Sequence, residues 1–417
     1  MSTECPISKT WCCAAGLASL ALVACEGTPG GASSDGPIVV AAANLHVLSM
    51  PDSVAVVEDL AALTDGTVWV SNSVEPLFVG IGPEGEVLGA HGRVGGGPDE
   101  FGAPSGFVVG GLDGEAWVFD RRRHALIRVS TPDQPRAEIP LPREAIPPGT
   151  VMTGMSLTGN SVRTARLGGE VILPRRAGTG EIEATSFWTT IWNADLVAVD
   201  PGSGSVRTVV SLPRVLGDLT AHFEEVSGGF PPFPFWYRLW AVCVDDEIRL
   251  YDFVRDELRG FGADGVELEP LPVPAPFTEA TPREFARAAF DLAAAEAARA
   301  VRPGFADMSA ADSARILDRV VSRLEGTPTE LASLLPKYVD FRCADDGTMW
   351  LRPLDLDRGG MRGGPAWLRV APDGETRQVR FPERFDPYRF TSDRIWGVLR
   401  DELDVASVAW VETPARD

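Results

Sequence analysis

The residue types that carry chemistry are sparse and scattered in this sequence. Its four histidines, His46, His91, His124 and His222, stand at no spacing that would make zinc ligands of them. His124 closes the run Arg121-Arg-Arg-His124 and reads as an exposed strand–turn residue. Gly95-Gly-Gly-Pro98 is not a phosphate loop, because no Lys-Ser/Thr follows it and Pro98 lacks an amide donor. Arg93, just before it, is a candidate ligand contact, or else it pairs with Asp99 or Glu100. Arg352 and Arg358 flank and open a Gly-rich loop, Arg358-Gly-Gly-Met-Arg-Gly-Gly364, that makes either an anion-binding spot or a solvated loop. Phe230-Pro-Pro-Phe-Pro-Phe-Trp-Tyr237 cannot be a regular strand throughout. It offers Trp236 and Tyr237 as an aromatic lip for an apolar or sugar-like ligand or a partner, or it packs as a long loop over an element edge. No catalytic constellation stands out, and no catalytic residue is assigned.

The cysteines divide by position. Residues 1–10 are polar, and Trp11 to Ala24 is an apolar run too short to span a bilayer but suited to a signal peptide. The run ends in Leu22-Val23-Ala24-Cys25, which resembles a bacterial lipobox. That resemblance implies a lipid on the Cys25 thiol and cleavage just before it, the alternative being an ordinary cleavable signal. Residues 1–24 are then a signal peptide and 25–37 a polar, Gly/Ser-rich tether with no core to bury. Lipidation by several chains would hold firmly. Glu26 after the cysteine, by resemblance to enterobacterial sorting, favours the outer membrane of the cell envelope. Cys5, Cys12 and Cys13 leave with the signal. Cys243 and Cys343 remain, in the matching contexts Cys243-Val-Asp-Asp246 and Cys343-Ala-Asp-Asp346, either as a disulfide between neighbouring repeats or as two buried thiols. A formal charge of -21 argues against nucleic acid and against an anionic membrane face as partner.

The elements that must position any site come from a repeat. Asp65-Gly-Thr-Val-Trp69, Asp113-Gly-Glu-Ala-Trp117 and Asp346-Gly-Thr-Met-Trp350 share one pattern, with a looser copy at Ser392-Asp-Arg-Ile-Trp396. Alternating apolar segments and tight turns such as Pro83-Glu-Gly85 and Pro372-Asp-Gly374 follow, with strand period rather than helix period. The spacing of about fifty residues fits four-stranded propeller blades. Five units are complete, and a sixth, through Val405 to Val411, stops without its outermost strand. The expected fold is therefore all-β: a six-bladed β-propeller over 38–417, closed by an N-terminal strand within 38–47 that pairs with the last unit. The third unit is irregular over 157–194 and could hold an extra hairpin. Between the fourth and fifth units, Thr281-Pro-Arg-Glu284, Ser309-Ala-Ala-Asp312 and Thr327-Pro-Thr-Glu330 read as capping boxes or close variants, so 280–338 is expected to be a three-helix insertion.

Gly92-Arg-Val-Gly-Gly-Gly-Pro-Asp-Glu-Phe101 resembles a signature of bacterial six-bladed propeller lipoproteins related to NHL-repeat propellers, in which such a loop joins one blade to the next. The resemblance covers 57–140 by residues and the rest by blade rhythm, and it implies a fold more than a function. Related zinc lyases need several channel histidines, which are lacking. Calcium-dependent lactonase-like propellers use a Glu, an Asn and an Asp at the channel mouth, for which Asn72 is the best-placed asparagine and calcium the implied cation. The leading expectation is a membrane-anchored module without a resident cofactor that binds a partner protein or small ligand at the channel face. A metal-dependent propeller hydrolase or lyase is the first alternative. An envelope assembly factor docking through the helical insertion is the second.

Overall fold

The computed structural model describes residues 36–51, 54, 56–98, 100–109, 115–129, 137–146, 164–176, 194–211, 240–252, 255–274, 337–355 and 364–415, with isolated positions between 284 and 322. Two short strands come first, β1 (Ile38–Val39) and β2 (His46–Val47), around one 3-10 turn. Blade 1 comprises β3 (Val57–Ala62), β4 (Val68–Asn72), β5 (Phe78–Ile81) and β6 (Val87–His91). A connector contributes β7 (Arg93–Val94) and β8 (Glu100–Phe101), paired in parallel. Blade 2 follows with β9 (Pro104–Val109), β10 (Ala116–Asp120), β11 (Ala125–Val129) and β12 (Glu138–Pro140). Blade 3 has β13 (Thr164–Leu167), β14 (Glu170–Arg176), β15 (Ala194–Val199) and β16 (Val206–Ser211). Blade 4 has β17 (Trp240–Val242), β18 (Ile248–Asp252), β19 (Glu257–Phe261) and β20 (Glu267–Pro272). Blade 5 has β21 (Tyr338–Cys343), β22 (Met349–Pro353), β23 (Ala366–Val370) and β24 (Thr376–Arg380). Blade 6 has β25 (Phe385–Phe390), β26 (Arg394–Arg400) and β27 (Ala406–Glu412).

The Asp-Gly repeat marks the hairpin between the first and second strands of a blade, so each blade begins one strand earlier than the repeat suggests. At Asp65-Gly66 the aspartate Oδ1 accepts the Thr67 amide at 2.8 Å, and Gly66 takes φ +86°, a backbone region that glycine enters without steric cost. Asp346-Gly347 repeats this, with the Thr348 amide at 2.9 Å and φ +82°.

Second strands read as continuous apolar runs because both faces are covered by neighbouring blades. Val68, Trp69 and Val70 are buried in succession, as are all five residues of Ala116–Asp120. Outer strands are largely exposed, as in β6 and β20. The core lies in the seams between blades. Trp69 and Phe78 of blade 1 meet Phe107, Val118 and Ile127 of blade 2. Trp117 and Phe119 meet Val171, Leu173 and Val197 of blade 3. Ile172 and Leu196 meet Trp240, Ile248 and Leu250 of blade 4. Trp350 and Trp367 of blade 5 meet Phe390, Ile395 and Val411 of blade 6. Leu60, Val68 and Val70 meet Trp396, Val398 and Val408, which joins blade 6 to blade 1. Between blades 4 and 5 stands the Cys243–Cys343 disulfide, with Cα atoms 5.1 Å apart.

The N-terminal segment differs from a single closing strand over 38–47. β2 pairs antiparallel with β27, His46 opposite Trp410 and Val47 opposite Ala409. β1 instead adds in parallel to β24 of blade 5. The 3-10 turn at Ala42–Asn44 separates the two pairings, so one segment serves two blades. In blade 3, Thr164–Leu167 and Glu170–Arg176 form the inner hairpin, and the rest of the 157–193 stretch lies outside the described residues. The three-helix insertion over 280–338 lies almost wholly outside the described residues. Of the described positions there, 284, 311, 312, 314, 315, 318 and 322 are helical, no helix is delineated among the described residues, and the described architecture is all-β. One capping feature of that stretch is described: Ser309 Oγ accepts the Asp312 amide at 3.1 Å and donates to the Asp312 carboxylate at 2.6 Å.

Candidate functional site in the central channel

The first strands of the six blades, β3, β9, β13, β17, β21 and β25, neighbour one another around the ring and enclose a cavity. Its empty volume is about 750 Å³, open mouth included. All six strands contribute to its lining.

Register fixes which residues share a level. On β3, Ala61 stands opposite Trp69, the tryptophan of the repeat. On β21 the same place is held by Arg342, opposite Trp350, and on β25 by Arg389, opposite Trp396. Ala165 of β13 and Ala241 of β17 stand at the matching places of blades 3 and 4, opposite Ile172 and Arg249. Val108 of β9 follows the Phe107–Val118 pair and completes the level. All six of these residues line the cavity. Four are small or apolar, and the two on adjacent blades 5 and 6 are arginines.

The ionisable residues of the lining are Asp59, Arg342, Arg389 and Tyr388. Asp59 sits between the first strands of blades 1 and 2, where its carboxylate accepts the Phe107 amide at 2.8 Å and the Leu60 amide at 2.9 Å. Arg342 is almost fully buried. Its Nη1 donates to the buried carboxylate of Asp340 and, at 3.1 Å, to the Phe341 carbonyl. Asp340 also accepts the Phe341 amide at 2.8 Å, so the guanidinium is held on a rigid mount. Register shifts just before Asp59, Asp340 and Arg389 bend these strands, and such irregularities commonly re-aim side chains beside sites.

This donor set does not suit a resident cation. Calcium takes six to eight oxygen ligands, while the lining offers one carboxylate, already accepting two amides, beside two guanidinium groups. Among the described residues no group of three His, Cys, Asp or Glu side chains converges.

Asn72, Arg93 and Arg352, the described ones among the ligand candidates singled out by sequence, are not in the lining of this cavity. Asn72 is buried at the end of β4, where it accepts the Val56 amide at 3.2 Å and donates to the Pro76 carbonyl at 3.1 Å, pinning a loop. Arg93 is exposed and lies 3.4 Å from Glu100. The Gly97 amide, 2.7 Å away, and then Arg93 hold the Glu100 carboxyl below its usual range against some desolvation. Arg352 donates to Asp386 at 2.8 Å and to the Gly364 carbonyl at 3.0 Å, and stacks over Trp367, tying blade 5 to blade 6. Trp236, Tyr237, Arg358 and Cys25 lie outside the described residues.

His124 corrects the sequence reading. It is 2% exposed rather than exposed. At φ +57° the turn folds the ring inward, and Nε2 donates to the Ile146 carbonyl at 2.6 Å. Burial lowers its pKa below the usual imidazole value, with the Ile146 bond opposing. Arg342 and Arg389 escaped the sequence reading because they precede the repeat. Counting back from each repeat tryptophan to the facing strand would have found them.

No family model and no curated protein matches the sequence. Solved structures do share its course. A member of the DUF4221 family from Bacteroides vulgatus is 8% identical and aligns over 88% of this chain and 96% of its own, with a TM-score of 0.52. A gluconolactonase from Xanthomonas campestris is 12% identical over 91% and 95%, with a TM-score of 0.44. Regucalcin, a calcium-binding protein from Agrobacterium tumefaciens, is 11% identical over 92% and 97%, with a TM-score of 0.40. Likeness at such identities speaks for the fold alone, and the six blades around one channel make this chain a six-bladed β-propeller.

Proposed function

We propose that this protein is a binding module of the bacterial cell envelope, anchored by a lipid on Cys25, that takes a small ligand into the channel cavity. The observation that carries the binding reading is the cavity itself. Six strands from six blades converge on it, and its wall combines apolar side chains with a few fixed polar groups, the usual make-up of a ligand site. The anchor rests on the Leu22-Val23-Ala24-Cys25 motif and the polar tether after it, with the outer membrane as destination.

Two measurements test the two parts. In cells fed a clickable fatty acid, the full chain is expected to carry label and sediment with membranes, and Cys25→Ser to lose both. A labelled, membrane-bound Cys25→Ser would end the anchor reading. For the cavity, a thermal-shift screen of small metabolites against the full chain is compared with Ala241→Trp, which fills the channel from β17. Ligands that raise the melting temperature of the wild type are expected to lose that effect in the variant. Hits unaffected by the plug would place binding elsewhere.

A further inference from the structure

We infer that the ligand of this cavity is a small organic carboxylate with a compact apolar body, held by Arg342 and Arg389. The inference rests on the channel cavity being the binding site. Its basis is the asymmetry of an otherwise repeated level. Blades 1 to 4 supply Ala61, Val108, Ala165 and Ala241, while adjacent blades 5 and 6 supply Arg342 and Arg389. A structural arginine would be expected to recur with the repeat or to face a rim. Here two face the same cavity from neighbouring strands, in a chain of net charge -21.

The chemistry follows from guanidinium geometry. Its planar fork presents parallel N–H donors that match the two oxygens of a carboxylate. Arg342 is preset for this, because Asp340 and the Phe341 carbonyl fix Nη1 and so restrict the side chain before any ligand arrives. The walls of blades 1, 2 and 4 carry Leu60, Leu63, Phe107 and Val242, which suit an apolar body. Asp59, on the strand beside that of Arg389, is the lining's one carboxylate, a selector against ligands of high negative charge. A monocarboxylate with a short aliphatic or aromatic body satisfies all three features.

The test uses the full chain and matched probe pairs: benzoate and benzamide, phenylacetate and phenylacetamide, hexanoate and hexanamide. Calorimetric titration is expected to detect the acids and not their amides. Arg389→Gln should weaken acid binding by about ten- to hundred-fold, the loss typical of one charge-assisted contact, while Arg389→Lys weakens it less. Arg342→Gln disturbs a buried ion pair and can unfold the blade, so Arg389 carries the test. Acids and amides bound equally, and both lost in Ala241→Trp, would overturn the carboxylate inference and leave the cavity reading standing. Acids bound equally by wild type and Ala241→Trp would overturn the cavity reading. No binding by any acid, or acid binding unchanged in Arg389→Gln, would also overturn the carboxylate inference.

Discussion

Asp120 shows how much one side chain can organise here. It is fully buried, and its carboxylate accepts amides of Gly102 at 2.6 Å, Ala103 and Arg122 at 3.0 Å, and Arg123 at 3.1 Å. Two of these belong to the connector between blades 1 and 2, and two to the turn after β10. Asp120→Ala would orphan these four donors, so a loss of about 3 kcal/mol or more is expected in urea unfolding. Asp120→Asn keeps one acceptor oxygen and should lose less. Equal midpoints for Asp120→Ala and wild type would refute the role. None of this is visible in the string Val-Phe-Asp-Arg, where Asp120 looks like an ordinary strand-end carboxylate. The cavity arginines were hidden for a related reason: Arg-Cys-Ala-Asp-Asp and Tyr-Arg-Phe carry no motif, and only register places Arg342 and Arg389 side by side.

At the scale of elements, hairpins were the legible part. Asp-Gly turns and alternating segments are local signals, and the strands around Trp69, Trp117, Trp350 and Trp396 follow them. The N-terminal segment was read less well, because two-residue strands have no periodicity to detect. β2 is the outer strand of blade 6, and the next residue fastens it. The Leu48 amide donates to the Val408 carbonyl at 2.9 Å, and its side chain is buried with Val54, Val398 and Val408. We expect Leu48→Ala to cost about 2–4 kcal/mol through the cavity left behind. If β2 docks late in folding, the loss appears mainly in the unfolding rate. Stopped-flow unfolding of wild type and variant measures it, and an unchanged rate with an unchanged midpoint would show that this segment is dispensable to the ring.

For the whole molecule, the question is what holds six small blades in one ring. Five seams are closed by apolar clusters that each draw on two blades. The seam between blades 4 and 5 carries the disulfide, together with Tyr251 packed edge-on against Tyr338. Burial pushes both tyrosine hydroxyls above their usual pKa, as befits a dry seam. The Cys243–Cys343 bond spans 100 residues of sequence. Loop-closure entropy then predicts a stabilisation of about 4–5 kcal/mol. The Cys243→Ser/Cys343→Ser double variant is expected to unfold at correspondingly lower urea concentration, and wild type in reductant to match it. A variant as stable as oxidised wild type would mean that packing alone closes this seam.

The sequence by itself determined the repeat, the strand-rich blades, the turn positions and the two cysteines open to pairing, because each depends on residues near one another in the chain. Tertiary structure decided where each blade begins, which blades the N-terminal strands join, that His124 turns inward, and which six residues form one level of the channel. These depend on register and on packing between segments tens to hundreds of residues apart, and a local pattern carries no record of either.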